Sequence, residues 1–167
     1  MNGPFLAPDR FSEACSMLPL VSIDFVITSK EGQLLLGRRN NAPARNFWFT
    51  PGGRIRKNEA LESAKNRIAR DELGLPTSVW QRATLMGAWD HFYQDSAFSA
   101  AVSTHYVNLP HWLNIDDDEK GLLQLPQGPD HQHSMWHWFE PADIEINETV
   151  HPYVKSYARW VFTKMND

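Results

Sequence analysis

From Leu20 to Thr28 the chain alternates with period two. Ile23, Phe25 and Ile27 fall on one side and Ser22, Asp24 and Val26 on the other, which predicts a strand. Ser29-Lys30-Glu31-Gly32 reads as a turn and Gln33 to Arg39 as the returning strand. Upstream, residues 9–18 place Phe11, Ala14 and Leu18 near one helical face, and Pro19 stops that helix. Asn40 to Asn46 is loop, and Phe47-Trp48-Phe49-Thr50 is a short strand ending at Pro51-Gly52-Gly53. The period then changes to that of a helix, from about Glu59 to Leu73, with Ala60, Leu61, Ala64 and Ile68 as its apolar stripe. Asn58 is the expected N-cap, and Gly74 the expected residue just past the end. Strand-like runs follow at 83–93, 98–109 and 134–139, separated by loops at 116–121 and 127–129. The last helix is written most clearly: Val154, Tyr157, Ala158, Val161, Phe162 and Met165 share one face. Strands in antiparallel-looking pairs with helices between them predict an α+β fold, an α/β/α sandwich, in one domain over residues 1–167.

Composition narrows the function classes. At 167 residues, with 42% hydrophobic and 22% charged positions, the chain has enough apolar surface for a core and is no disordered tail. Sixteen basic against 20 acidic residues give a net charge of −4, so no broad attraction to nucleic acid is expected. A locally basic pocket for a small anion remains compatible with that balance. The lone Cys15 excludes an internal disulfide and a cysteine metal cage. No apolar run approaches a membrane span, and Met1 to Arg10 lacks a basic region followed by an apolar stretch. A cytoplasmic protein without a membrane partner is expected.

The chemistry concentrates around the helix after Gly53. On a helix Arg67, Ile68, Asp71 and Glu72 span about 140° of circumference, so two carboxylates and a guanidinium lie beside the apolar stripe. Gly52 and Gly53 let backbone approach a ligand. Oxygen donors of this kind suit a hard cation such as Mg²⁺, although the same residues also describe an amphipathic helix with solvated charges.

A family resemblance bears on the choice. Gly53, five residues, Glu59, seven residues, Arg67, then Ala69, Glu72, Gly74 and Leu75 resemble the Nudix box. The resemblance implies a Nudix fold, a mixed sheet between helices, in which the box holds Mg²⁺ against a diphosphate. Two positions depart from it. Ile68 replaces the glutamate after the arginine, and Asp71 replaces the first of the paired glutamates. Fewer metal ions and a base from elsewhere are expected.

Over about residues 18–160 the chain resembles the GDP-mannose mannosyl hydrolases. The resemblance is carried by 19–25, Leu36-Gly37-Arg38-Arg39, 47–54, Trp89-Asp90-His91-Phe92-Tyr93, Thr104-His105-Tyr106-Val107 and the reduced box. It implies hydrolysis of GDP-mannose or GDP-glucose to GDP and free sugar by water attacking the anomeric carbon. It also implies Mg²⁺ on Glu72, Gln132 and the Gly52 carbonyl, with Arg67 and Asp71 in support. Arg39 and Arg54 would meet the diphosphate, His91 would lie near the departing group, and Asp24, Tyr93 and Tyr106 would contact the substrate. A Gln-His pair before the last strand maps to Gln132 and His133, making His133 the base; a shift of one or two residues would promote His131 instead. A homodimer is implied, with the N-terminal segment 1–18 as a contact. Two other readings stay open: a pyrophosphohydrolase attacking phosphorus, and a non-catalytic nucleotide-sugar-binding domain.

Overall fold

A computed structural model describes residues 6–167. Its centre is β1 (Leu20–Ser29), buried without interruption from Ser22 to Ser29. Both faces of the strand are therefore covered, although its alternation suggests only one. Ile23, Phe25 and Ile27 join one apolar cluster and Val26 joins the other, so the two sides of the strand serve two cores. On the first side lies α2 (Leu61–Ile68), with Ala64 and Ile68 inward. On the second lies the long C-terminal helix, with Val154, Tyr157, Ala158 and Val161 inward. This is the expected sandwich: a mixed sheet between helices.

The sheet runs β3 (Trp48–Phe49), β2 (Leu34–Arg39), β1, β7 (Thr104–Ile115), β5 (Thr84–Leu85). β4 (Gly52–Arg54) pairs with β1, β6 (Trp89–Tyr93) with β7, and β8 (His133–Phe139) with β2. β1 and β7 are parallel, from Leu20 opposite Tyr106 to Ser29 opposite Ile115. The other pairings are antiparallel.

Several boundaries differ from the sequence expectation. The N-cap of α2 is Ala60; Asn58 sits in the left-handed region at φ 62° and belongs to the preceding turn. The helix ends in a π turn over Ala69–Leu73, and Gly74, with φ 67°, closes it as expected. A side chain at Gly74 would strike Gln124, 2.7 Å from its Cβ position. The run expected from 98 starts at Thr104 and continues to Ile115, because its parallel partner β1 carries it there. Three short helices add to the prediction: α3 (Thr77–Trp80), α4 (Asp117–Lys120) and α5 (Pro141–Ile146). α4 is closed by a reciprocal Asp116–Glu119 capping box. The first helix, α1 (Pro8–Met17), and the last, α6 (Pro152–Met165), match their predicted spans closely. α1 turns Phe11 and Cys15 inward, and Phe11 meets Phe98 edge-on at 5.6 Å.

Candidate active site

A cavity of about 440 Å³ opens where β1, β2, β4, β6, β7 and the α2 π turn converge. Three groups of side chains line it. Arg67, Ile68, Asp71, Glu72 and Gln132 form one wall; Asp24, Asn108, His91, Tyr93 and Tyr106 another; Leu6, Phe11, Phe98, Arg54 and Arg56 the mouth. Arg39, Thr50, Gly52 and Gly53 lie on the same surface.

The first wall is built by the box. Arg67 does not reach outward: Nε meets Glu59 Oε1 at 2.6 Å, and Nη2 meets Glu59 Oε2 at 2.8 Å and the Arg54 carbonyl at 2.9 Å. The Arg56 amide donates to the same carboxylate. Arg67 therefore fastens the 54–59 loop to the helix, holding Gly53 and Glu72 in relation. Its hydrogen bonds, helped by the Arg56 amide and by the charge of both arginines, hold Glu59 down to about 2. Ile68 is buried, with Cγ1 3.2 Å from where a Cβ on Gly53 would stand. At that place the fold supplies hydrocarbon packing. Asp71 is exposed and pairs with its neighbour Arg70 at 2.9 Å.

Glu72 is the carboxylate left to the cavity. Burial, reinforced by Asp71, pushes it up to about 7 against the pull of Arg39 and Arg67. With its amide oriented to suit its neighbours, Gln132 donates to Glu72 Oε1 at 3.3 Å and accepts from Arg39 Nη1 at 2.6 Å. Among the described residues no three His, Cys, Asp or Glu side chains form a metal cage. Glu72 gives the cavity a buried carboxylate, and the Gln132 amide beside it and the Gly52 backbone line the same surface. A carboxylate joined by an amide that can turn its oxygen toward the same point, and by backbone carbonyl, suits a hard, partly hydrated cation such as Mg²⁺. Gly52 is required beside it, because a Cβ there would lie 2.2 Å from Asp24 Oδ1.

Arg39 donates through Nε to the Pro43 carbonyl at 2.9 Å and makes no ion pair among the described residues. Burial lowers its pKa against the pull of Asp24 and Glu72, and a half-buried guanidinium in no direct ion pair is suited to receive an anion. Arg54 lies 5.0 Å over the Phe11 ring at the mouth.

The second wall is a hydrogen-bonded cluster. Tyr157 Oη, from α6, lies 2.8 Å from Asp24 Oδ2, 3.1 Å from His91 Nε2 and 2.9 Å from Asn108 Oδ1. Burial pushes Asp24 up to about 6 and pulls His91 down to about 4. Tyr153 stacks on His91 with centroids 4.0 Å apart and rings 4° from parallel. Burial raises the phenol of Tyr106 to about 12 and that of Tyr93 further, so both are neutral donors at physiological pH.

The structure brings together Asp24, Arg39, Gly52, Arg54, Arg67, Asp71, Glu72, His91, Tyr93, Tyr106 and Gln132. It does not bring His131 or His133 to the cavity. His131 is exposed. His133, expected in the loop, is the first residue of β8, opposite Arg39. Its ring is 1% exposed, lies 4.4 Å from Trp136 and packs over Gly37, where a Cβ would be 2.5 Å away. Its Nε2 has no hydrogen-bond partner, and burial and Arg39 lower it to about 3. Strand pairing with β2 starts one residue earlier than the alternation of 134–139 suggests, and that carries the ring inward.

Four residues were missed. In the sequence Asn108 is a strand position and Tyr157 an apolar-stripe position, and nothing singles out Tyr153. Thr50, a short-strand position in the sequence, lines the cavity with its hydroxyl buried beside Asp24. The available signal was Asp24, an acid in a strand apolar on both sides, which demands a polar partner from the covering helix.

These features define a Nudix hydrolase, and the comparisons agree. A model of the NUDIX domain matches residues 18–161, so the chain belongs to that family. It is 40% identical over 149 residues to the low-salt glycan biosynthesis protein Agl8 of Haloferax volcanii, covering 89% of this chain and 86% of that protein. A MutT NUDIX hydrolase from Burkholderia pseudomallei superposes with TM-score 0.66 at 25% identity, over 86% of this chain and 98% of that one. The fold is also that of an Ap4A hydrolase from C. elegans, with TM-score 0.60, 20% identity and coverage of 88% and 98%. Nudix hydrolases generally use divalent cations and act on small nucleotide derivatives. No described helix is long and apolar enough to cross a membrane.

Proposed function

We propose that this chain hydrolyses a GDP-hexose, GDP-mannose or GDP-glucose, to GDP and free sugar. The observation that carries the reading is the pairing of the two walls. A reduced box, with Ile68 buried where the ordinary box has a carboxylate, faces a wall rich in groups that bond hydroxyls. The first suits holding a diphosphate as it leaves; the second suits holding a sugar.

Water forms a bond to the anomeric carbon while the bond from that carbon to the diphosphate oxygen breaks, and the electron pair leaves with GDP. Arg39 and Arg54 meet the growing negative charge, and preorganised cations of this kind supply much of such catalysis. Glu72, Gln132 and the Gly52 carbonyl would hold Mg²⁺, whose contribution when bound is to neutralise the diphosphate. Arg67 keeps the Glu72 helix and the glycine loop in register. Asp24, Tyr93, Tyr106 and Thr50 bond sugar hydroxyls and the sugar phosphate.

The water proton passes to His133. Its neighbour Gln132 already reaches the cavity, and its buried Nε2 has no hydrogen bond to lose on leaving Trp136, although the ring must give up its packing there and over Gly37. Reaching water requires the start of β8 to leave β2. His131 is the alternative in the same loop. The similarity to a glycan biosynthesis protein supports a sugar-linked substrate. We place the enzyme in the cytoplasm as a homodimer with contacts from the 1–18 segment, of which residues 1–5 lie outside the described residues. A monomer in sedimentation at micromolar concentration contradicts the dimer. Incubation with Mg²⁺ and GDP-mannose tests the activity: GDP and mannose are expected, whereas GMP and mannose 1-phosphate would identify a pyrophosphohydrolase.

A further inference from the structure

We propose that Tyr157 is the positioning residue of the sugar side of the cavity: its hydroxyl anchors the Asp24 carboxylate and fixes the tautomer of His91, leaving Nδ1 as the nitrogen that accepts a hydrogen bond from a substrate hydroxyl. The role assigned to the substrate rests on the nucleotide-sugar reading; the hydrogen-bond assignment does not.

The argument is a count of hydrogens. A phenol carries one, and Tyr157 Oη has three polar neighbours within 3.1 Å. The Asp24 carboxylate, at 2.8 Å, is the strongest acceptor and takes that hydrogen. The phenol oxygen then has only lone pairs for His91, so Nε2, 3.1 Å away, must bring its own hydrogen. Asn108 Oδ1, 2.9 Å away, is a second acceptor competing for the same hydrogen and cannot supply one, its Nδ2 being turned to Ser22 Oγ at 2.7 Å, so whichever oxygen takes the hydrogen, His91 is left to donate. A neutral imidazole protonated at Nε2 has Nδ1 as its acceptor. Tyr153, stacked on the ring face, prevents the rotation that would exchange the two nitrogens. The lowered pKa of His91 agrees with a neutral ring.

Packing alone does not call for this hydroxyl. The ring of Tyr157 is fully buried in an apolar cluster and meets Trp89 edge-on at 5.1 Å. Phenylalanine would fill the same space without a polar atom to satisfy. The partners of the hydroxyl are cavity-lining residues from three different strands, β1, β6 and β7, and one helix residue ties all three. Their relative placement, which a bound sugar would read, depends on Tyr157.

The test is Tyr157→Phe in the full chain. Long-range ¹H–¹⁵N NMR of wild type should show His91 with a protonated, pyrrole-like Nε2 and a pyridine-like Nδ1; the variant should show a shifted or mixed tautomer. With GDP-mannose and Mg²⁺, kcat should fall about 10- to 100-fold, while inhibition by GDP alone keeps its constant. A wild-type ring protonated at Nδ1 overturns the proposal. So does an unchanged His91 signal in the variant, or a loss of GDP affinity equal to the loss of kcat. If wild type cleaves no nucleotide sugar, the functional reading fails while the NMR pattern still decides the role of Tyr157. If the variant does not fold, the wild-type spectrum decides it.

Discussion

Arg67 grips both carboxylate oxygens of Glu59 with two parallel hydrogen bonds, so the arginine of the box is a structural clamp and the charge turned to the cavity comes from other residues, Arg39, Arg54 and Glu72 among them. The clamp has a pH signature. Glu59 ionises at about 2 in the fold against an ordinary 4.5. A depressed carboxyl contributes stability above its unfolded value and loses it as pH falls through the folded one. Glu59→Gln is expected to cost about 1–3 kcal/mol near neutrality. In urea unfolding from pH 6 to 2, the gap between wild type and variant should shrink below pH 4.5. A constant gap contradicts the clamp.

Glu72 shifts the other way, to about 7. In metal-free protein the folded state holds this proton more tightly than the unfolded one. Stability therefore falls as pH rises from about 4.5 to 7, and the penalty is complete above 7. Glu72→Gln is expected to melt higher than wild type at pH 8 without Mg²⁺, with the difference vanishing near pH 4. Adding Mg²⁺ should raise the melting temperature of wild type alone, and turnover of the variant should fall by orders of magnitude. A variant that keeps most of its activity contradicts the metal assignment.

Ile68 offers a third test. Placing a carboxylate in that apolar contact with Gly53 should destabilise the protein by about 2–5 kcal/mol. Ile68→Glu should not acquire cleavage to GMP and sugar 1-phosphate. Gain of that cleavage at undiminished stability would show that the missing box glutamate is all that separates the two chemistries.

The elements legible in the sequence were those whose period matched their burial. α6 was clear because Val154, Tyr157, Ala158 and Val161 meet one face of the sheet. β1 was clear in extent, yet its alternation looked like one buried face when both are covered. The resemblance to the box pointed to Glu72, Arg67, Gly53 and Gly74, whose residue types alone read equally as an amphipathic helix with solvated charges. The role of Tyr157 was not legible, since an inward tyrosine in an aliphatic stripe reads as packing until its distance to Asp24 is known. The inward turn of His133 was hidden for a similar reason: it follows from strand pairing with Arg39, a contact across 94 residues of chain.

His133 and His131 separate by substitution. General-base catalysis contributes about 10²- to 10⁴-fold, so His133→Gln should lose that much turnover with little change in KM, and His131→Gln much less. Near-normal turnover in His133→Gln with collapse in His131→Gln would transfer the role to His131. Near-normal turnover in both would remove the loop from proton transfer and leave the cavity-lining groups.

The central claim is which bond breaks. Hydrolysis of GDP-mannose in ¹⁸O-labelled water, with products separated and weighed by mass spectrometry, reads it directly. The account predicts label in the free mannose and none in GDP. Label on phosphate, in GMP or in mannose 1-phosphate, would place the attack at phosphorus and contradict it.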